Sequence, residues 1–194
     1  MKKATPKLII TFICLMVLLV GYYAYLSNKE REEKAEAALS ATQETLSRNL
    51  QKDYPPTPKE VIKYYNEIVK CLYNEEITED EIDALGQKAR ELYDEELLEA
   101  NDLGSYTLRL RQDVQTYKDS QRHIVTAIVA SSTNVDFFEE DGFSFARLTS
   151  SYNIVEGEGK DSNITRQVYL LRKDEKNRWK IYGWEDAANV ELYQ

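Results

Sequence analysis

The chain has 194 residues, with 34 Asp and Glu against 25 Lys and Arg, a formal net charge of −9 and a pI near 4.8. Nucleic-acid binding needs a basic face to neutralise phosphates, and the sequence offers none. Cys14 and Cys71 alone make no disulfide framework and no C-x-x-C metal spacing.

The first element is the uncharged stretch from Leu8 to Leu26, LIITFICLMVLLVGYYAYL. About 19 residues at a helical rise of about 1.5 Å span roughly 28 Å, close to the hydrocarbon thickness of a bilayer. Lys2, Lys3 and Lys7 precede it, and Tyr22, Tyr23 and Tyr25 end it as an aromatic belt would. A cleaved signal has a shorter apolar run and a small-x-small site. The expectation is therefore an uncleaved signal anchor. Residues 1–7 are expected in the cytoplasm, 8–26 as a transmembrane helix in contact with lipid, and the rest outside the cell membrane at the cell envelope. Lys29, Arg31 and Lys34 on the far flank nearly balance the charges that set this orientation.

Residues 27–56 are polar and helix-prone, with a weak stripe through Ala35, Ala38, Leu39, Thr42, Leu46 and Leu50, and read as a stalk or linker. Pro55, Pro56 and Pro58 stop it. Thr57-Pro58-Lys59-Glu60 then starts a helix with a cap, a proline in the first turn and a capping-box glutamate. Its apolar face is Val61, Tyr65, Ile68 and Leu72. Thr78-Glu79-Asp80-Glu81 is a second capping box, followed by the stripe Ile82, Leu85, Ala89, Leu92, Tyr93 and Leu97. A third helix carries Leu103, Tyr106, Leu110, Val114 and Tyr117. About 12 acids crowd Glu75 to Asp102, a solvated helical face or a docking surface for a basic partner.

After Lys118 the period changes to two. His123–Ser131, Phe143–Val155, Ile164–Lys173 and Arg178–Trp184 read as strands, with Asp141-Gly142 a hairpin signal. Helices first and strands second imply an α+β domain over 57–186, in which three helices pack on a curved four-stranded antiparallel meander. Residues 187–194 form a tail.

Three stretches, the proline-initiated first helix TPKEVIKYYNEIVKCLYN, ARLTSSYNIV and QVYLLRKDEKNRWKIYGWE, resemble a nuclear transport factor 2-like (SnoaL-like, cone-shaped) domain. They also look like an uncharacterised family of bacterial, membrane-anchored proteins with that domain. The resemblance covers Thr57–Trp184 and the anchor. It implies a cone with a central pocket, used by isomerases, dehydratases and polyketide cyclases and by many non-enzymatic binding modules. Type IV secretion assembly proteins carry a related domain after one spanning helix. In the enzymes an inward carboxylate works with tyrosines, and Asp113 with Tyr117, Tyr152 and Trp184 would be that set here. Tyr65 would line the same pocket.

The residues themselves assign no catalysis. His123 is the lone histidine, with no partner implied by spacing, and Cys71 sits at an apolar helix border. The acids from Glu75 to Asp83 lack the glycine and distal glutamate of a calcium loop. No cofactor or metal is expected. The leading expectation is a membrane-anchored binding or assembly module with a protein partner or self-association. The alternatives are a pocket enzyme of the isomerase/dehydratase type and a type IV secretion-like assembly subunit. An enzyme requires an open pocket with a buried, shifted carboxylate or histidine at its base, whereas a cone packed with tyrosine and leucine speaks against one.

Overall fold

Thr57 stops the chain in an extended conformation, and its Oγ1 accepts the Glu60 N–H at 3.2 Å, so helix begins at Pro58. In the computed structural model the described residues are Tyr22, 40–157 and 162–190. The chain divides into two compact units, Met1–Ser40 and Ala41–Gln194, and the account below concerns the second.

That unit begins with α1 (Ala41–Ser47), followed by α2 (Pro58–Asn74), α3 (Glu79–Arg90), α4 (Glu95–Ala100) and α5 (Leu103–Asp119). Thr42, Thr45 and Leu50 are buried, so 41–50 packs on the core where the sequence suggested a stalk. At the start of α2, Glu60 does not close a capping box; its carboxylate pairs with Lys63 at 3.0 Å. At α3 the box is complete, with the Glu81 carboxylate accepting the Thr78 N–H at 2.8 Å.

The sheet holds β1 (Arg122–Val129), β2 (Asp136–Glu140), β3 (Phe143–Glu156), β4 (Ser162–Lys173) and β5 (Trp179–Asp186), and α6 (Ala187–Val190) follows. Every pairing is antiparallel, in the order β1-β3-β4-β5, and β2 shares the β1 edge of β3. Asp141 and Gly142 both have positive φ, 49° and 82°, as the tight turn between β2 and β3 requires. Ala146, Leu148, Ser150 and Tyr152 of β3 face inward beside Tyr169 and Leu171 of β4 and Ile181 of β5. α2 lies across this face with Val61, Ile62, Ile68 and Leu72 buried.

Several expectations are corrected here. The sheet has five strands, not four. β2 was missed because DFFEE is acid-flanked and does not alternate, and Phe137 stays exposed. The stripe from Ile82 to Leu97 is not one helix. α3 ends at Arg90, and the chain then closes the β5 edge: Asp94 N–H donates to Ile181 O and Ile181 N–H to Leu92 O, both at 2.8 Å. Unpaired edge groups need such partners, and this demand overrides the helical period. The transmembrane helix and the single-pass membrane, cell-envelope location drawn from it are not supported: among the described residues no helix is long and apolar enough to cross a membrane. The stretch Leu8–Leu26 lies, except for Tyr22, outside the described residues. The functional account therefore rests on the folded unit.

Candidate functional site

The inner face of the sheet carries Ser150 opposite Gln167 and Tyr152 opposite Thr165, with Tyr169 opposite Leu148. They join a buried polar string. Tyr152 OH donates to Asn66 Oδ1 at 2.5 Å and lies 2.7 Å from the Tyr169 hydroxyl, which donates to Gln167 Oε1 at 2.6 Å. Asn66 Nδ2 donates to Ser150 Oγ at 2.9 Å, which ties α2 to the sheet. A second string runs through the hydroxyls of Tyr65, Tyr93 and Tyr106, 3.4 and 3.5 Å apart. The rings interlock: Tyr65 lies 5.9 Å from both Tyr169 and Trp184, and Trp184 lies 5.8 Å from Tyr93. Tyr169 is fully buried and Tyr93 nearly so, while Trp184 is 39 % exposed.

Burial pushes the phenols of Tyr65, Tyr93 and Tyr169 far above their ordinary range, and those of Tyr106 and Tyr152 upward. These hydroxyls are neutral, bonded to one another and to amides. They have no carboxylate or histidine among them to exchange a proton with.

The five residues singled out from the sequence fall into separate places. Tyr65, Tyr152 and Trp184 gather around Tyr169. Tyr117 lies elsewhere, packed against Tyr73 with ring centroids 4.4 Å apart and the planes tilted by 39°. Asp113 is exposed on α5, and it acts only at a distance, by helping burial raise Tyr73 to about 12. The carboxylate-and-tyrosine set implied by resemblance is therefore not assembled. His123 is exposed on β1. Cys71 is buried, its Sγ 3.5 Å from Thr45 Oγ1. Among the described residues no group of three or more His, Cys, Asp or Glu is placed to hold a metal ion.

Sequence reasoning missed Asn66, Tyr93, Tyr106, Ser150, Gln167 and Tyr169. The parity shared by Ser150 and Tyr152 was a usable signal.

Beside Tyr117 lies a cleft of about 300 Å³, lined also by Arg122, Ile154, Glu156, Asn163 and Thr165. The Tyr117 hydroxyl is buried with no hydrogen-bond partner. Among the described lining residues Arg122 donates to Glu156 at 3.2 Å, so these two charges are paired.

A family model described as Domain of unknown function (DUF6715) matches residues 1–184. The chain belongs to the DUF6715 family. No curated protein matches the sequence. The DUF6715 match covers α1 to α5, β1 to β4 and β5 as far as Trp184, so it takes in both the tyrosine strings and the cleft beside Tyr117.

Other clefts on this DUF6715 unit are wider, and two of them carry paired arginines. One, of about 710 Å³, lies between α1 and α2, where Arg48 is held by Asp53 and stands over the Tyr64 ring. Desolvation lifts Glu67 in its wall above the usual carboxylate range, but the side chain remains exposed. The other, of about 610 Å³, follows the β4–β5 turn, where Arg172 and Arg178 are held by Asp94 and Asp174.

Proposed function

We propose that this chain is a non-enzymatic binding module. The observation that carries this reading is the filling between helices and sheet. Where a pocket enzyme needs an open chamber, Tyr65, Tyr93, Tyr152 and Tyr169 interlock and satisfy each other's hydroxyls. Among the described residues no carboxylate or histidine is bonded to these phenols, and the candidate carboxylate, Asp113, is exposed on α5. General acid–base work needs a group that can change charge near neutral pH, and phenols held above their ordinary range cannot.

The test is to incubate the folded protein with a panel of small polar compounds and follow occupancy and chemical change together. A binding module raises its melting temperature with bound compounds and returns them unchanged; a protein partner or a second copy would register as a gain in mass. Turnover of any compound that disappears in Tyr152→Phe or Tyr169→Phe would overturn the reading in favour of a pocket enzyme.

A further inference from the structure

We propose that the open edge of β1 pairs with the same edge of a second copy of this chain, joining two sheets across a two-fold axis. The second copy is then the partner in the binding-module reading above, on which this assignment rests. The backbone shows where the edge is open. Ala130 N–H donates to Thr149 O at 2.9 Å, so along the antiparallel ladder Ala130 and Ile128 face β3, while Ala127 and Val129 turn their N–H and C=O groups away from it. Ile124, beyond the bulge between Ile124 and Thr126, also turns outward. Asn74 takes both of its groups: Ile124 N–H donates to Asn74 Oδ1 and Asn74 Nδ2 donates to Ile124 O, each at 2.8 Å. Among the described residues no such partner serves Ala127 or Val129. An exposed edge is a template for another strand, and folded proteins guard it with charge, proline or a bulge. The bulge and Asn74 guard only the Arg122 end. From Ile124 to Val135 the sequence has neither a charge nor a proline, and Val125 and Ile128 are 47 % and 63 % exposed. The opposite edge of the sheet, at β5, is closed by residues 92–94.

The register selects a second copy as the occupant. An axis at Ile128 sets Ala127 of each copy opposite Val129 of the other, and these are the residues with outward groups to bond. It also sets Ile128 against Ile128 as a non-hydrogen-bonded pair, the kind in which side chains stand closest. Charge agrees with this register. β2 continues the same edge of β3 beyond β1, with Asp136 opposite Arg147, and His123 lies opposite Val155. Arg147 and Val155 stand equally far along β3 from Ser151, the partner of Ile128. The same axis therefore brings His123 of each copy onto the rung of the other copy's Asp136, on the outer face of the sheet. Asp136 is exposed and only loosely paired with Arg147 at 3.7 Å, so its carboxylate can accept an imidazole N–H. Pairing along one short edge stays below about 1,200 Å², the low end of interface sizes, so the dimer is reversible and forms as concentration rises.

The experiment is sedimentation of the full chain over a concentration series, beside variants at exposed sites. The wild type should pass from monomer to dimer mass. Ile128→Lys sets two cations against each other on the axis and should raise the dimer dissociation constant about tenfold, with the monomer still folded by circular dichroism. Ile164→Lys, equally exposed on the same outer face but on β4, should dimerise as wild type. Mild oxidation of Ile128→Cys should join two copies through that position, as peptide mass mapping reads, whereas Val125→Cys at the bulge should stay unjoined. A monomer throughout the series overturns the proposal. So does a dimer untouched by Ile128→Lys, a dimer lost equally in Ile164→Lys, or a disulfide formed by Val125→Cys and not by Ile128→Cys. Ile128→Cys joined to Cys14 of its own chain would give the edge to the chain's N-terminal residues and overturn it as well. None of these results touches the binding-module reading. That reading falls instead to turnover that depends on Tyr152 or Tyr169, a result that would leave the dimer standing.

Discussion

Asp94 is 4 % exposed, and its carboxylate serves two elements at once. It accepts the Glu96 N–H at 3.1 Å, which starts α4, and it takes Nε and a terminal nitrogen of Arg172 at 3.0 and 2.5 Å. The Arg172 guanidinium also lies over the rings of Phe143 and Tyr182. Removing the acid leaves a largely buried guanidinium with only the exposed Glu96, and breaking a buried pair costs about 3–5 kcal/mol. Asp94→Ala should lower the unfolding free energy by that order, read from urea denaturation. Asp136, 3.7 Å from Arg147 at the surface, is the comparison: Asp136→Ala should cost under about 1 kcal/mol. Equal costs for the two would mean that burial adds nothing to the Asp94 pair.

α3 and α5 approach closely at position 86, where any side chain requires its neighbours on α5 to shift. A Cβ there would stand 2.6 Å from Leu110 Cδ2 and 3.3 Å from Tyr106 Cε1. Alanine gains about 1 kcal/mol in helix propensity, but overpacking a filled core costs about 1–3 kcal/mol. Leu110 is itself buried and has little room to retreat. Gly86→Ala should therefore destabilise by about 1 kcal/mol, and pairing it with Leu110→Ala should give less than the sum of the two losses. Additive losses would show that the helices do not meet there. Elements of this kind were legible where their signals are local. Thr57-Pro58 and Thr78-Glu81 announce two helix starts, Asp141-Gly142 announces a turn, and the alternation through β3 shows its inner face. The break of α3 at Arg90 was not legible, because its cause is the β5 edge far along the sequence. Of the candidate site, Tyr152 and Tyr65 could be picked out by face, but Tyr169 could not. Val168, Leu170 and Leu171 make β4 apolar on both parities, and nothing near Asn66 announces Ser150. Asp113 failed for a related reason, since beside Val114 it could turn inward or outward, and it turns to solvent.

Across the whole molecule the same burial that fills the interior sets how stability should change in alkali. Lys180 donates to the Glu91 carbonyl at 2.5 Å and stands over the Tyr54 ring, with no carboxylate paired to it among the described residues. Burial first, then Arg178, lowers its pKa from 10.5 to about 8. Between those values the unfolded chain binds the proton that the folded chain has shed, so stability rises with pH across that window. The tyrosines act with the opposite sign. Burial raises Tyr64 and Tyr73 from 10.0 to about 12, and raises Tyr65, Tyr93 and Tyr169 further. Above pH 10 the unfolded chain loses phenolic protons that the folded chain keeps, so stability falls as pH rises. The two effects together place a stability maximum near 10.0, the ordinary value of a tyrosine. Urea midpoints collected from pH 7 to 12 should climb from about 8, peak, and then drop steeply because several phenols titrate with unfolding. Lys180→Met should remove the climb and leave the drop. The part of the phenolate absorbance that is lost in Tyr169→Phe should appear together with loss of the circular dichroism signal. Its appearance in the still-folded protein near pH 10 would show that the tyrosine strings are open to solvent, and with that the filled interior on which the binding-module reading depends would be lost.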